Sequence, residues 1–120
     1  MTDELKGRQR LLRATKVSWT GLSWAWHEEE AFRIEAVLVV VLLPLALWLG
    51  HTGIERAVLV LSLLIVLIVE LLNTAVEAAI DRIGSEHHPL SARAKDLGSA
   101  AVLLALLQIP VVWGLIWIGH

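Results

Sequence analysis

Three long apolar stretches limit what this chain can fold into. "AVLVVVLLPLALWLG" occupies 36–50, "AVLVLSLLIVLIV" occupies 57–69 and runs on in apolar-rich sequence to residue 80, and "LGSAAVLLALLQIPVVWGLIWI" occupies 97–118. A helix needs about 20 residues to cross the hydrocarbon core of a bilayer. The second and third stretches reach that length directly, and the first does so when its helix begins inside the charged segment "EEEAFRIE". Spans are therefore expected over about 29–50, 55–81 and 95–118. A water-soluble bundle is the alternative, but 57% of the 120 residues are hydrophobic, against about 45–50% in ordinary soluble domains. Too little polar surface remains to enclose three such helices. The expected fold is an all-α membrane protein, a single domain over residues 1–120.

The loops give a direction. Lys6, Arg8, Arg10, Arg13, Lys16 and Arg33 precede or open the first span, and Arg82, Arg93 and Lys95 lie between the second and third, whereas "HTGIER" between the first and second offers only Arg56. The positive-inside rule then places the N-terminus and the second loop in the cytoplasm. "MTDELKGRQR" has no apolar core or small-residue cleavage site, so it does not read as a signal peptide. Over 5–27, Leu5, Leu12, Trp19 and Trp26 recur on one face while Lys6, Arg10 and Arg13 gather on another. That is the pattern of an amphipathic helix lying in the headgroup layer, which by itself also fits a plain anchor with no catalytic part. Gly50, Thr52 and Gly53 mark the first turn, "GSEHHPLSAR" the second loop, with Pro89 ending any helix that enters it, and Pro44 and Pro110 interrupt spans. The absence of cysteine excludes disulfides, thiol catalysis and Cys-based zinc sites. Nothing points to a nucleic-acid partner.

The second span carries the chemistry. At a helical advance of about 100° per residue, Glu70, Asn73, Glu77 and Asp81 fall within about 80° of one another. Glu70 lies about 10 Å further into the membrane than Glu77. Acidic side chains at such depth are costly and usually mark function or line a bundle interior. Glu70 is a candidate general base. Glu77, nearer water, faces the same membrane side as "EEE" at 28–30. Carboxylates brought together there need a cation between them, and Mg²⁺ is the natural one, held by one or two carboxylates plus phosphate oxygens. Lys95 and Asp96 follow in the second loop, where Lys95 could neutralise phosphate charge. This set suits phosphoryl transfer from a water-soluble donor to a membrane-embedded hydroxyl. Two other readings use the same stripe: hydrogen bonds that glue helices together, and an ion pathway. No Gly-rich nucleotide loop or kinase catalytic loop occurs. His27, His87 and His88 could bind metal, although the adjacent pair also reads as loop polarity, and His51 and His120 carry no signal.

The segments "WHEEEAFRIE" (26–35), "ELLNTAVE" (70–77), "DRIGSE" (81–86) and "AKDLGSAA" (94–101), in this order and spacing, resemble the prokaryotic diacylglycerol kinase family. The resemblance covers about Arg10 to Trp117. It implies a homotrimeric helical bundle with three transmembrane helices and a surface helix per subunit, active sites at subunit boundaries, and phosphorylation of diacylglycerol by ATP in the bacterial inner membrane. It further implies Glu70 as the base that takes the lipid hydroxyl proton, Asn73 as an essential polar neighbour, and Glu29 and Glu77 as the pair holding Mg²⁺ with ATP. Arg10, Glu86, His87, His88, Lys95 and Asp96 match or adjoin nucleotide-contacting positions. Lipid contacts fall on Arg10, Ala14, Ser18, Trp19, Ala31, Phe32, Arg33, Glu35, Glu70, Ser99, Trp113 and Trp117. Val17 departs from the pattern, standing where these kinases carry an aromatic residue near the nucleotide, and His87 stands where they tend to have Tyr. "HHPL" also resembles the undecaprenol kinases of the same family, which leaves undecaprenol as the alternative acceptor; "DRIGSE" and the Trp-rich N-terminus favour the diacylglycerol branch.

Overall fold

The structure, a computed structural model, describes residues 3–84 and 86–120, with side chains from residue 6 onward. The side chain of Leu5, part of the expected surface stripe, and Ser85 of "DRIGSE" lie outside the described residues. Four helices account for the fold, in the order α1 (Asp3–Glu28), α2 (Glu30–Leu49), α3 (Gly53–Ile83) and α4 (Pro89–Ile118). No strand occurs among the described residues. The chain divides into two compact units, Met1–Arg33 and Ile34–His120.

In the first unit, α1 is one continuous helix. The hydroxyls of Thr15 and Thr20 donate to the carbonyls of Leu11 (2.9 Å) and Lys16 (3.0 Å), folding two poor helix formers back onto the preceding turn. The last turn of α1 is closed by Arg33, whose Nη1 donates to Trp26 O (2.9 Å) and His27 O (3.0 Å). A cation here satisfies carbonyls that the helix end leaves without partners.

In the second unit, α2, α3 and α4 are all long and apolar enough to cross a membrane, at 20, 31 and 30 residues. Pro44 and Pro110 do not break them; each lies within a continuous helix. The α2–α3 turn is tight for identifiable reasons. A Cβ on Gly50 would sit 2.7 Å from Arg56 Cγ and 2.9 Å from Arg56 N, so only glycine lets Arg56 approach. Arg56 then donates through Nε to Leu47 O at the end of α2 (3.0 Å), while Thr52 Oγ1 caps α3 by accepting from Glu55 N (3.1 Å).

The core joins all three helices toward this turn. Val39, Ala46, Leu49, Leu59 and Leu63 are buried together, with Ile109, Val112, Trp113 and Ile116 of α4 packed against them. A polar knot sits inside that core. Ser62 Oγ donates to Leu59 O (2.6 Å) and accepts from Trp113 Nε1 (2.9 Å), and Gln108 Nε2 donates to Ser62 O and Ala105 O, both at 2.8 Å. Hydrogen bonds of this kind join α3 to α4 where lipid offers no competing partner.

The third long helix begins earlier than the loop signals imply. Pro89 opens α4 instead of closing a helix, because a proline at the first helical position has no N–H to leave unpaired. His88 is its N-cap, with Nδ1 accepting from Leu90 N at 3.1 Å. Lys95 and Asp96 therefore stand on helix α4, not in a loop. Most of the apolar surface faces outward: 17%, 28% and 6% of the most apolar windows of α2, α3 and α4 are buried within the chain, as expected of helices solvated by lipid or by other chains.

Candidate functional site

The polar stripe of α3 is graded by depth. Glu70 is buried, Asn73 and Glu77 are half-buried, and Asp81 is exposed. Asn73 Nδ2 donates to Glu77 Oε1 at 3.2 Å, the one-turn pairing that the stripe's spacing permits. Glu35 on α2 brings a second carboxyl group to the buried end, where it hydrogen-bonds with Glu70. Two carboxylates in contact repel unless a proton or a cation lies between them.

Helix α4 approaches the same stripe through a glycine. A methyl group built on Gly98 would overlap Asn73 Oδ1. The missing side chain is what admits the Asn73 amide against α4. Asn73 Oδ1 and Glu35 Oε2 are buried without a hydrogen-bond partner among the described residues. Each costs free energy in a folded protein; one comes from α2 and the other from α3.

Further out, the stripe opens into a cavity of about 450 Å³ at the α3–α4 junction, lined by Asp81, Glu86, His87, His88 and Lys95 together with Ile80, Gly84, Ser91 and Ala92. Lys95 Nζ donates to Asp81 Oδ1 at 3.0 Å across the junction, with both side chains well exposed. An exposed pair of this kind is weak and easily exchanged for another partner. The cavity thus offers an ammonium group, two imidazoles and two carboxylates to a polar, charged ligand. Asp96 and Ser99 are exposed on α4 nearby in sequence but do not line it.

The other expected site residues distribute as follows. Arg10, Ala14 and Ser18 share one exposed face of α1, and Val17 and Trp19 are exposed beside them. Glu29 is half-buried at the junction of α1 and α2. Ala31 is exposed and Phe32 buried, while Arg33 is engaged in closing α1. Trp113 spends its indole N–H on Ser62 in the core. Trp117 lines a different cavity, by the α2–α3 turn, with His51 and His120. Those two histidines converge with Glu55 there, a grouping that sequence inspection passes over. The Thr52-x-x-Glu55 spacing is a helix-capping signal, but nothing local pairs His120 with His51.

Fold and site together define a helical membrane protein with a buried carboxyl stripe leading to a charged cavity at one end of its spans. Residues 16–117 match the family described as prokaryotic diacylglycerol kinase, and the chain belongs to that family. It is similar to the diacylglycerol kinase of Escherichia coli K12, 46% identical over 120 residues that cover 100% of this chain and 98% of the relative. The diacylglycerol kinase of Haemophilus influenzae is 49% identical over 108 residues (90% and 92% of the two chains). That of Pseudomonas aeruginosa is 48% identical over 113 residues (94% and 92%). The chain is accordingly a lipid kinase by family.

Proposed function

We propose that the chain transfers the γ-phosphate of ATP to the free hydroxyl of diacylglycerol at the cytoplasmic face of the bacterial inner membrane, forming phosphatidic acid and ADP. The observation that carries this reading is the graded stripe: a buried carboxyl group, Glu70, followed along α3 by the hydrogen-bonded Asn73 and Glu77 and then by Asp81, which lines a charged cavity with a lysine. A base in the apolar region and cations at the aqueous end match an acceptor dissolved in lipid and a donor dissolved in water. The relatives' names supply the acceptor's identity.

Glu70 takes the proton of the lipid hydroxyl, whose oxygen bonds to the γ-phosphorus as the bond to the bridging β–γ oxygen breaks. Asn73 orients Glu77 through the Nδ2–Oε1 hydrogen bond. Glu29 and Glu77 are carboxylates accessible enough to take a hard cation, and such donors fit magnesium. Held by these carboxylates with ATP, Mg²⁺ would supply charge neutralisation across the phosphates. Lys95, exchanging Asp81 for phosphate, offsets further charge, with Arg10, Glu86, His87, His88 and Asp96 as nucleotide contacts. Ala14, Ser18, Trp19, Ala31, Phe32, Arg33, Glu35 and Ser99 are the proposed lipid contacts; Trp113 is committed to Ser62 and Trp117 to the cavity by the α2–α3 turn, and neither is assigned to the lipid. The basic residues before α2 and those at the adjoining ends of α3 and α4, Arg82, Arg93 and Lys95, favour a cytoplasmic N-terminus, α1 lying in the headgroup layer. A homotrimer would cover apolar surface that α2, α3 and α4 leave exposed.

The test follows labelled γ-phosphate from Mg·ATP into lipid, with purified protein in mixed micelles supplied with diacylglycerol and undecaprenol in parallel. Label in phosphatidic acid, reduced about 10²–10⁴-fold in Glu70→Gln, is the expected result. Equal turnover in the mutant would remove Glu70 as base, and preference for undecaprenol would change the acceptor while keeping the chemistry.

A further inference from the structure

The end of the bundle remote from the phosphotransfer stripe holds a second set of polar groups with no part in that reaction. His51 in the α2–α3 turn, Glu55 in the first turn of α3 and His120 beyond the end of α4 each offer one ligand atom, and all three atoms lie within 4.8 Å of one another. Glu55 and Glu77 are about 33 Å apart along the axis of α3, at about 1.5 Å per residue, so this cluster is separate from the carboxylates assigned to the nucleotide.

Its geometry is specific. His120 Nε2 meets Glu55 Oε1 at 2.9 Å, and the backbone N–H of His51 donates to the same oxygen at 2.8 Å. The two imidazole rings approach to 3.7 Å between centroids at a tilt of 51°. Helix capping explains Glu55 and the turn, but it does not call for two imidazoles converging on that carboxylate from separate segments of the chain. The side chains of His120 and Glu55 are 21% and 29% exposed. Beside them opens a cavity of about 640 Å³ walled by Trp48, Leu49 and Trp117, with room for water to complete a coordination shell.

We propose that His51, Glu55 and His120 form a binding site for a divalent transition-metal ion of the zinc class, fastening the α2–α3 turn to the end of α4. Two imidazoles and one carboxylate are a donor set that tetrahedral zinc accepts at about 2.0–2.2 Å, with a fourth position left to solvent. Donor atoms around such an ion sit about 3.3 Å apart, within reach of side-chain rotation from the observed arrangement. Imidazole nitrogen selects against magnesium and calcium, which take oxygen. The His51 N–H bond to Glu55 is the outer contact that would hold the carboxylate in place.

The full-length protein in neutral micelles, stripped with chelator and kept in excess Mg²⁺ to occupy oxygen-only sites, would be titrated with Co²⁺ and then with Zn²⁺. The expected result is one Co²⁺ per chain with the intense visible bands of a four-coordinate site, displaced by Zn²⁺, and a thermal midpoint raised by Zn²⁺. His51→Gln and His120→Gln should each weaken binding at least about 100-fold, given that loss of outer-shell partners alone costs roughly 10- to 100-fold, while keeping helical content and lipid phosphorylation. The combined variant His27→Gln, His87→Gln, His88→Gln should keep the Co²⁺ bands. Six-coordinate Co²⁺ spectra in the unaltered protein, unchanged affinity in the first two variants, or loss of the bands in the combined variant would each overturn the site.

Discussion

Two polar centres lie on α3, and the chain treats them in opposite ways. At Ser62 the hydroxyl donates to one carbonyl and accepts from Trp113, and the Ser62 carbonyl accepts from Gln108. Further along the same helix, Asn73 Oδ1 is buried without a hydrogen-bond partner among the described residues, as is Oε2 of Glu35, which α2 brings beside Glu70. Both centres are surrounded by apolar helix surface, where an unmet polar group is expensive. The first is therefore structural, its cost offset by complete internal pairing. The second keeps unmet polar atoms, which is what the proposed reaction centre requires if reactants from outside the chain are to pair with them.

Gly98→Ala tests the working centre most severely. A methyl group would occupy the space of Asn73 Oδ1, so Asn73 must turn away and its hydrogen bond to Glu77 is lost. Displacement of about 1 Å in a catalytic constellation can cost about 100-fold. Phosphotransfer in micelles is expected to fall by that order, with a smaller loss of stability from overpacking, about 1–3 kcal/mol. Full activity in Gly98→Ala would mean that the Asn73–Glu77 pairing has no bearing on turnover, and the contrast between the two centres would collapse.

Ser62→Ala probes the other side. It strips Trp113 Nε1 of its acceptor and is expected to destabilise the α3–α4 pairing by about 1 kcal/mol, in line with interhelical hydrogen bonds measured in membranes. Turnover at saturating substrate should not change. Reversible unfolding in mixed detergent gives the first quantity and the lipid assay the second. A fall in turnover without a loss of stability would place Ser62 on the working side of the comparison.

Much of this is legible in the sequence. Segment length and hydropathy are enough to place three spans, because lipid demands continuous apolar helix. The stripe from Glu70 to Asp81 follows from helical spacing alone, and the Asn73–Glu77 bond realises it. What local pattern could not supply was everything that depends on which helix lies opposite. Pro89 reads equally as a stop and as a first helical residue, and the His88 cap decides it. Gly98 looks like any small residue until α4 is set against Asn73. Gln108 and Trp113 look like imperfections in an apolar run until Ser62 is found beneath them. His51 and His120 are distant in sequence and meet only through the packing of α3 with α4.

The smallest expected effect lies where the stripe reaches water. Lys95 and Asp81 pair at 3.0 Å with side chains 47% and 68% exposed, and such a pair contributes at most about 1 kcal/mol and commonly less. Asp81→Asn should therefore leave unfolding almost unchanged. If Lys95 serves the nucleotide, Asp81 competes with phosphate for its ammonium group, and removing that competitor should lower the KM for ATP a few-fold while leaving kcat alone. The gain should shrink as salt rises, because exposed charges are screened within about 10 Å at 0.1 M ionic strength. Lys95→Met should raise the KM for ATP, and adding Asp81→Asn to it should bring no further change, since the competition no longer exists. An Asp81→Asn effect that survives in the Lys95→Met background would show that Asp81 acts on the nucleotide by itself, and would move Lys95 from the working centre to the surface.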